Sequence, residues 1–203
     1  MPARRIDIAV LAKAPVPGLA KTRLIPAIGA HAAAVLQERL TERTIQTTVS
    51  ANDGPVTLWC TPDATHPSFA ALQRLHGITL RTQAAGDLGA RMLAAMQDGP
   101  TLVIGTDCPA FTPAHLQEAA RELQTHDVVL VPAEDGGYVL IGTNAPQPGL
   151  FDGMIWSTPH VATETRARAA GLRLSLHELA PLWDVDTEDD LARMERTFPE
   201  LRL

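Results

Sequence analysis

The chain has 203 residues, of which 45% are hydrophobic and 20% are charged, as in an ordinary soluble globular domain. A formal net charge of −6 argues against a large basic surface for nucleic acid, and two cysteines imply no disulfide framework. No apolar run is long enough to cross a bilayer, and no apolar leader follows the first arginines. We therefore predict a single domain over residues 1–203 in the cytoplasm, with neither nucleic acid nor a membrane as partner. The oligomeric state is left open.

Short apolar runs alternate with segments in which apolar residues recur at helical spacing. In chain order, the predicted elements are a strand over 6–12, a helix over 29–50, a strand over 56–60, a helix over 68–76, a strand over 78–82, a helix over 88–97, a strand over 102–106, a helix over 112–124, strands over 128–131 and 138–142, a helix over 158–170, a strand over 172–176 and a helix over 187–198.

Several of these strands are continuously apolar, which is typical of strands that are buried on both faces of a sheet. The alternation of strands and helices predicts a three-layer α/β/α fold with a mostly parallel central sheet. Ligands of such sheets bind beyond the carboxyl ends of the strands. The residues that follow each predicted strand are therefore the candidates for chemistry.

A stiff basic loop follows the first predicted strand. Residues 12–23 read AKAPVPGLAKTR and contain Lys13, Lys21 and Arg23. Prolines in this loop lower the cost of holding like charges together, and a polyphosphate would favour that arrangement. The spacing of a P-loop is absent, so side-chain charges would have to bind the phosphates. The alternative interpretation is a solvated basic turn.

Carboxylates occur at two later points of the chain. Asp107 ends the most apolar strand, while Asp184 and Asp186 precede the last predicted helix. Mg²⁺ favours one or two carboxylates together with substrate phosphates, so either of the later aspartates could complete a metal site with Asp107. The alternative role of Asp186 is helix capping. Cys108 has no histidine nearby in sequence and is expected to be structural.

Three further segments follow strands or open helices. Asp135 lies in an Asp-Gly turn, which favours a tight connection but also permits contact with an acceptor. Gln83 precedes a glycine-rich turn, where its amide could read a nucleobase edge or simply begin a helix. Residues 156–158 fit either a helix cap or an acceptor site. The seven histidines show no metal-ligand spacing and are expected to be surface or core residues.

Six segments occur in a family-specific order: AKAPVPGLAKTRL, QAAGDLGARM, GTDCP, PAEDGGYVLIG, WST and DVDTEDDL. Together they resemble a family of proposed glycosyltransferases that is associated with radical-SAM and arsenosugar or selenium gene clusters. That family is similar to the nucleotide-diphospho-sugar transferase superfamily, which has the glycosyltransferase-A fold, and more distantly to the molybdenum-cofactor and phospholactate nucleotidylyltransferases. The resemblance covers residues 8 to about 191.

The resemblance implies roles for particular residues. Asp107 and Asp186 would ligate Mg²⁺ or Mn²⁺, and the catalytic residues would be Lys21, Arg23 and Asp107. The residues implied in nucleotide binding are Ala12, Lys13, Pro17, Gly18, Lys21, Arg23, Gln83, Gly86 and Thr106. The residues implied on the acceptor side are Asp135, Gly136, Tyr138, Trp156, Ser157 and Thr158.

Two positions depart from the pattern of the superfamily. Its last motif usually reads Asp-Thr-Pro-Glu-Asp, whereas Glu188 and Asp189 follow Thr187 here, so the proline is absent and Asp186 is kept. Asp107 lacks the Asp-x-Asp partner that many sugar transferases have, which weakens the expectation of glycosyl transfer.

Two reactions would use these residues. In glycosyl transfer from a nucleotide-diphospho-sugar to a small-molecule acceptor, a nucleoside diphosphate leaves the sugar carbon. In nucleotidylyl transfer from a nucleoside triphosphate to a small phosphorylated acceptor, pyrophosphate leaves the α-phosphorus. The family resemblance favours the first reaction, and the three cations within residues 13–23 favour the second. A non-catalytic nucleotide-binding module is the third interpretation, which the retained carboxylates disfavour.

Overall fold

The computed structural model describes residues 5–51 and 54–203, so the first four residues of the predicted domain lie outside it. Within the described residues, strands form a seven-stranded sheet in the order β3-β2-β1-β4-β6-β5-β7. The strands are β1 (Asp7–Lys13), β2 (Val56–Thr61), β3 (Thr79–Thr82), β4 (Thr101–Ile104), β5 (Val128–Pro132), β6 (Tyr138–Thr143) and β7 (Leu176–Glu178). Only the pairs that β6 makes with β4 and β5 are antiparallel among the described strands. The sheet is therefore mostly parallel, as predicted.

Helices cover both faces of this sheet. They are α1 (Ile25–Ala51), α2 (Pro67–His76), α3 (Leu88–Ala95), α4 (Pro113–Glu122), α5 (Val161–Gly171) and α6 (Glu188–Thr197), with 3-10 turns at Thr22–Leu24, Pro148–Leu150 and Pro199–Leu201. Along β1, Ile8 and Val10 pack into one buried cluster, whereas Ala9 packs into a second cluster. Successive strand residues point to opposite faces, so the two clusters lie on the two sides of the sheet. The three-layer α/β/α prediction is confirmed.

The central strands are apolar because both of their faces are covered. Every residue of β4 and β5 is buried, which is the burial expected of a strand between two helical layers. The N-caps of two helices are also those that the sequence predicts. Thr112 caps α4 ahead of Pro113, and Thr187 with Asp190 forms a capping box at the start of α6.

A third buried cluster joins the two ends of the chain. It contains Leu24, Leu36, Leu40, Trp183, Val185, Leu191, Met194 and Leu201. These side chains come from the 3-10 turn after the basic loop, from α1, and from α6 with its flanking segments. Their packing holds the Asp-Val-Asp segment of residues 184–186 beside the basic loop of residues 12–23.

The structure differs from the predicted elements at three places. Helix α1 begins at Ile25 and kinks at Gly29, which has φ 80° and ψ 159°. Helix α5 begins at Val161 after His160, so Thr158 is not its N-cap. The predicted strand over 172–176 is wrong except for its last residue. The chain turns there through Arg173 at φ 58°, and β7 pairs with β5 only from Leu176 onwards. None of the helices in the described ranges is long and apolar enough to span a membrane.

Candidate active site

A cavity of about 640 Å³ opens at the carboxyl ends of the strands. Lys13 ends β1 and Thr61 ends β2, while Gly105, Thr106 and Asp107 follow β4, and all of them line the cavity. The strand order reverses between β1 and β4, and α/β sheets bind ligands at such reversal points. The cavity therefore lies where the topology favours a ligand site.

The side chain of Lys21 is the centre of this cavity. Its Nζ lies 2.7 Å from Oδ1 of Asp107 and 3.8 Å from Oδ1 of Asp186, and it donates a hydrogen bond of 2.6 Å to the carbonyl of Val185. The side chain is only 4% exposed. Its backbone has the left-handed values φ 45° and ψ 46°, which are costly for a residue with a Cβ and which cluster at functional sites. The sequence therefore brings a buried cation between two carboxylates that are distant along the chain.

The two carboxylate oxygens of Asp107 have different surroundings. Oδ1 is shielded from solvent and meets Lys21 at an angle that makes an ion pair but no hydrogen bond. The side chain as a whole is 45% exposed, which leaves Oδ2 as the oxygen that can bind a ligand. A backbone hydrogen bond of 2.9 Å from Val185 N to the Asp107 carbonyl fixes the loop against the tail segment.

The remaining cations of the basic loop are more exposed. Arg23 NH1 lies 2.6 Å from Oδ2 of Asp186, and its side chain is 65% exposed. Lys13 lies exposed at the end of β1 and lines the cavity. Both charges can therefore reach a ligand in solvent, whereas Lys21 is committed to protein groups until a ligand replaces them.

Asp184 adds a carboxylate that the resemblance did not assign to a role. Its pKa is raised to about 6, first because burial disfavours the charged form and then because Asp135, Asp186 and Asp107 are nearby negative charges. Four carboxylates, those of Asp107, Asp135, Asp184 and Asp186, therefore lie near one another in the lining of the cavity. The signal in the sequence was the repeated aspartate of the Asp-Val-Asp segment, which left open which of the two faces the metal site.

These carboxylates fit a divalent metal only in part. Within residues 5–51 and 54–203, the group of three ligand side chains close enough to enclose an ion is Glu122, His126 and His177, which lies elsewhere. Asp107 and Asp186 can thus supply one or two oxygens, and phosphate oxygens of a substrate would have to complete the coordination. That division is the one Mg²⁺ usually shows.

Two buried polar residues hold the Asp107 loop in place. Gln37 of α1 donates a hydrogen bond of 2.9 Å to the hydroxyl of Thr106 and another of 3.2 Å to Thr41. Gln37 and Thr106 are both buried and both line the cavity. Sequence reasoning missed Gln37 because a single glutamine in an amphipathic helix gives no motif.

Gln83 lines the cavity, but its amide hydrogens are already used. Nε2 donates to the carbonyls of Trp59 at 2.9 Å and Ala12 at 3.2 Å, which ties the loop after β3 to β2 and β1. Oε1 faces Arg91 NH1 at 3.4 Å. A nucleobase could therefore meet only Oε1 of Gln83, and the sequence did not single out Arg91, which also lines the cavity.

The predicted acceptor residues separate into two groups. Asp135, Tyr138, Ser157 and Thr158 line the cavity, whereas Gly136 and Trp156 are not among its lining residues. Burial raises the pKa of the Tyr138 hydroxyl, which lies 3.9 Å from the sulfur of Met92.

The other lining residues of this group have local bonds. Asp135 Oδ1 accepts a hydrogen bond of 2.8 Å from Gly137 N, and Thr158 donates one of 3.2 Å to the carbonyl of Ile155. Ser157, like Lys21, has a left-handed backbone, with φ 60°.

Five of the residues implied by the resemblance have backbone or packing roles in this structure. Gly18 and Gly86 occupy positive-φ turns at φ 83° and 108°. Pro17 lies exposed in the basic loop, and Trp156 Nε1 donates a hydrogen bond of 3.2 Å to Asp87, the N-cap of α3. Gly136 meets the backbone of Pro159, as described below. These five do not line the cavity, whereas the remaining implied residues do.

Cys108 is buried, and burial raises the pKa of its thiol to about 12. The thiol is therefore protonated at neutral pH and is a poor nucleophile. The structural role expected from the sequence agrees with this environment.

The fold is shared with known transferases. A crystal structure from Desulfovibrio desulfuricans G20, provisionally named a nucleotide-diphospho-sugar transferase, matches with 31% identity and a TM-score of 0.85, over 94% of this chain and 86% of that one. The family described as "Uncharacterized protein conserved in bacteria (DUF2064)" matches residues 44–158. The chain belongs to this family, and its fold places it among enzymes of the transferase class.

More distant structures share the fold alone. A nucleotidyl transferase from Methanothermobacter thermautotroptrophicus has 14% identity and a TM-score of 0.66, with 98% of this chain and 100% of that chain covered. Rv0371c from Mycobacterium tuberculosis H37Rv, in complex with manganese, has 18% identity and a TM-score of 0.58, with 96% and 100% covered. None of the curated proteins matches the chain in sequence.

Replacing Gly136 by alanine tests whether this residue is structural. A Cβ at Gly136 would lie 2.2 Å from the carbonyl oxygen of Pro159, and the backbone has φ +92°. We expect Gly136→Ala to lower the free energy of unfolding by about 2–4 kcal/mol in urea titrations. Gly153→Ala is the matched control because Gly153 has φ +67° with nothing within 4 Å, and it should cost only about 1 kcal/mol. Equal losses in the two variants would contradict a close approach at Gly136.

Asp184 predicts an unusual dependence of stability on pH. Its folded pKa of about 6 lies above the ordinary aspartate pKa of 3.8, so the unfolded chain ionises first and stability falls as pH rises between these values. We expect Asp184→Asn to raise the free energy of unfolding at pH 8, by about 1–2 kcal/mol after solvent screening, and to have no such benefit below pH 4.

Asp127→Asn should behave in the opposite way, because hydrogen bonds from Ser175 hold the pKa of Asp127 below its usual value. Urea titrations in EDTA buffer at several pH values measure both variants. An Asp184→Asn variant that is less stable than the parent at pH 8 would contradict the burial of this charge.

Proposed function

We propose that the protein is a metal-dependent transferase that uses a nucleotide-activated donor, with glycosyl transfer from a nucleotide-diphospho-sugar to a small-molecule acceptor as the leading reaction. The observation that carries the proposal is the convergence of Lys21, Asp107 and Asp186 within ion-pair distance in the cavity at the ends of β1 and β4. The provisional name of the 31% identical relative supports the choice of donor.

The charges of the cavity support metal dependence. Four cationic and four acidic side chains line it, and they balance at neutral pH if all are charged: Lys13, Lys21, Arg23, Arg91, Asp107, Asp135, Asp184 and Asp186. A polyphosphate alone would meet no net positive charge there. One divalent ion makes the lining net positive, so metal and nucleotide favour each other's binding.

Different residues of the chain would then bind the metal and the phosphates. Asp107 and Asp186 would hold Mg²⁺ or Mn²⁺, which when bound would neutralise phosphate oxygens and polarise the leaving group. Lys21 would bind the phosphates, because a metal held by Asp107 would compete for the carboxylate that now pairs with this lysine. Lys13 and Arg23 would screen the outer phosphates, and such fixed charges are often the largest contribution to catalysis.

Nucleotidylyl transfer is the second candidate, because the three cations of the basic loop suit a triphosphate better than a diphosphate. The Methanothermobacter structure, a nucleotidyl transferase, shares the fold.

Further proposals are a single domain over residues 1–203, a cytoplasmic location, and the association with radical-SAM and arsenosugar or selenium gene clusters.

Product analysis separates these reactions. Nucleotide-sugars and nucleoside triphosphates, first chosen by thermal shift with Mg²⁺ and Mn²⁺, are incubated with a panel of small acceptors, and the released products are identified by mass spectrometry. We expect a nucleoside diphosphate for glycosyl transfer. Pyrophosphate would instead establish nucleotidylyl transfer. Tight nucleotide binding without any released product would favour a non-catalytic module.

Lys21→Met tests the central cation. We expect kcat/KM to fall by about 10²–10³, because a charge that stabilises the developing negative charge is lost. Arg74→Met, on the exposed side of α2, is the control and should retain full activity. Thermal melts of both variants exclude unfolding as the cause. Full activity in Lys21→Met would remove this residue from the mechanism.

Asp107→Asn tests the exchange between Lys21 and the metal. In the parent, EDTA should weaken nucleotide binding because Lys21 stays paired with Asp107. In Asp107→Asn, Lys21 loses its 2.7 Å partner, so nucleotide should bind in EDTA about tenfold more tightly than it does to the parent, with no gain from Mg²⁺. Isothermal titration calorimetry measures both proteins. Strong stimulation by Mg²⁺ in the variant would show that Asp107 is not a metal ligand.

A further inference from the structure

We propose that Glu122, His126 and His177 form a second metal site, which takes a zinc-like transition metal and is separate from the cavity. Glu122 is the last residue of α4, His126 lies in the loop before β5, and His177 is the middle residue of β7. This group lies near the amino-terminal end of β5, whereas the cavity opens at the carboxyl ends of the strands.

The three side chains already have nearly the spacing of a bound site. Oε2 of Glu122 lies 3.7 Å from Nδ1 of His126 and 3.7 Å from Nδ1 of His177. One ligand atom from each residue lies within 4.8 Å of the other two. Ligands bound to one tetrahedral zinc at about 2.0–2.1 Å lie about 3.3 Å apart, so the two carboxylate–imidazole distances need to shorten by only a few tenths of an ångström.

The Glu122 carboxylate is not hydrogen-bonded to either imidazole ring. The two carboxylate–imidazole distances of 3.7 Å are too long for hydrogen bonds. The imidazole centroids of His126 and His177 lie 5.0 Å apart at 42°, and both rings lie beside the one Glu122 carboxylate. A metal ion would give all three groups one partner.

The neighbouring groups leave the site open to an ion. Arg121 Nε lies 3.8 Å from the other carboxylate oxygen of Glu122, Oε1, and leaves Oε2 to the histidines. His126 Nδ1 also lies 3.0 Å from the Glu122 carbonyl and 3.1 Å from the Thr125 hydroxyl. A metal at this nitrogen would replace these contacts.

The ligand set selects the metal. Two imidazoles and one carboxylate suit Zn²⁺ and its transition-metal neighbours, whereas Mg²⁺ and Ca²⁺ prefer oxygen. The site therefore differs in chemistry from Asp107 and Asp186. Three protein ligands leave one tetrahedral position for water.

The location suggests what the metal would do. Strand β7 is a three-residue edge strand that pairs only with β5 among the described strands. A metal held by His177, His126 and Glu122 would fasten this edge to α4 and to the loop before β5. Because the ion would bind the folded chain, it should stabilise the fold. Sequence spacing did not reveal the site because its histidines come from segments that only the sheet brings together.

Zinc binding in a background without the cavity ligand tests the proposal. Titration calorimetry and thermal melts with ZnCl₂ are made on Asp107→Asn, which lacks one of the two proposed metal ligands of the cavity. We expect one equivalent of zinc and a Tm raised by about 5–10 °C at a free zinc concentration of 100 times the Kd. MgCl₂ at the same concentration should give no comparable shift.

Two variants and one matched control locate the ion. Adding His177→Gln or Glu122→Gln should abolish both the binding of one zinc equivalent and the rise in Tm. His31→Gln, at an exposed histidine of α1, should leave both unchanged. Melts without metal show whether each variant folds. Zinc binding that survives both site substitutions, or no zinc binding by the folded Asp107→Asn protein, would overturn the proposal.

Discussion

The ion pair between Lys21 and Asp107 is the interaction on which the cavity depends. A buried ammonium is costly unless it is paired, and Lys21 meets this cost with two carboxylates and the Val185 carbonyl. Its partners come from the loop after β4 and from the segment before α6. The same contacts that satisfy Lys21 therefore close the cavity on two sides, and they hold a left-handed backbone in place at that residue.

This arrangement pairs the cations of the cavity with its carboxylates. Lys21 is paired with Asp107 and Arg23 is paired with Asp186, so the charges that would bind metal and phosphate bind each other instead. In the proposed function, a metal–nucleotide complex would offer both signs at once and would replace both pairs. Either component alone would have to break one pair without restoring it, which is the physical reason to expect coupled binding.

Apolar periodicity was enough to predict most of the fold. Continuous apolar runs gave the wholly buried β4 and β5, and cap residues gave the starts of α4 and α6. The predicted strand over 172–176 was wrong because an apolar stretch after a helix resembles a strand in sequence. Its turn through Arg173 is visible only in the structure. The convergence of Lys21, Asp107 and Asp186 was expected from strand ends, whereas the hydrogen bonds of Gln83 depend on carbonyls of two other strands.

The sequence by itself determined the layered α/β fold, the stiff basic loop and the presence of carboxylates at strand ends, because these follow from local spacing and residue type. Only the tertiary structure decided that Asp184 is buried among like charges, that Arg91 faces Gln83, and that His126 and His177 share Glu122. These features depend on distances between segments far apart in the chain. Those distances are set by sheet order and helix packing, which no local pattern records.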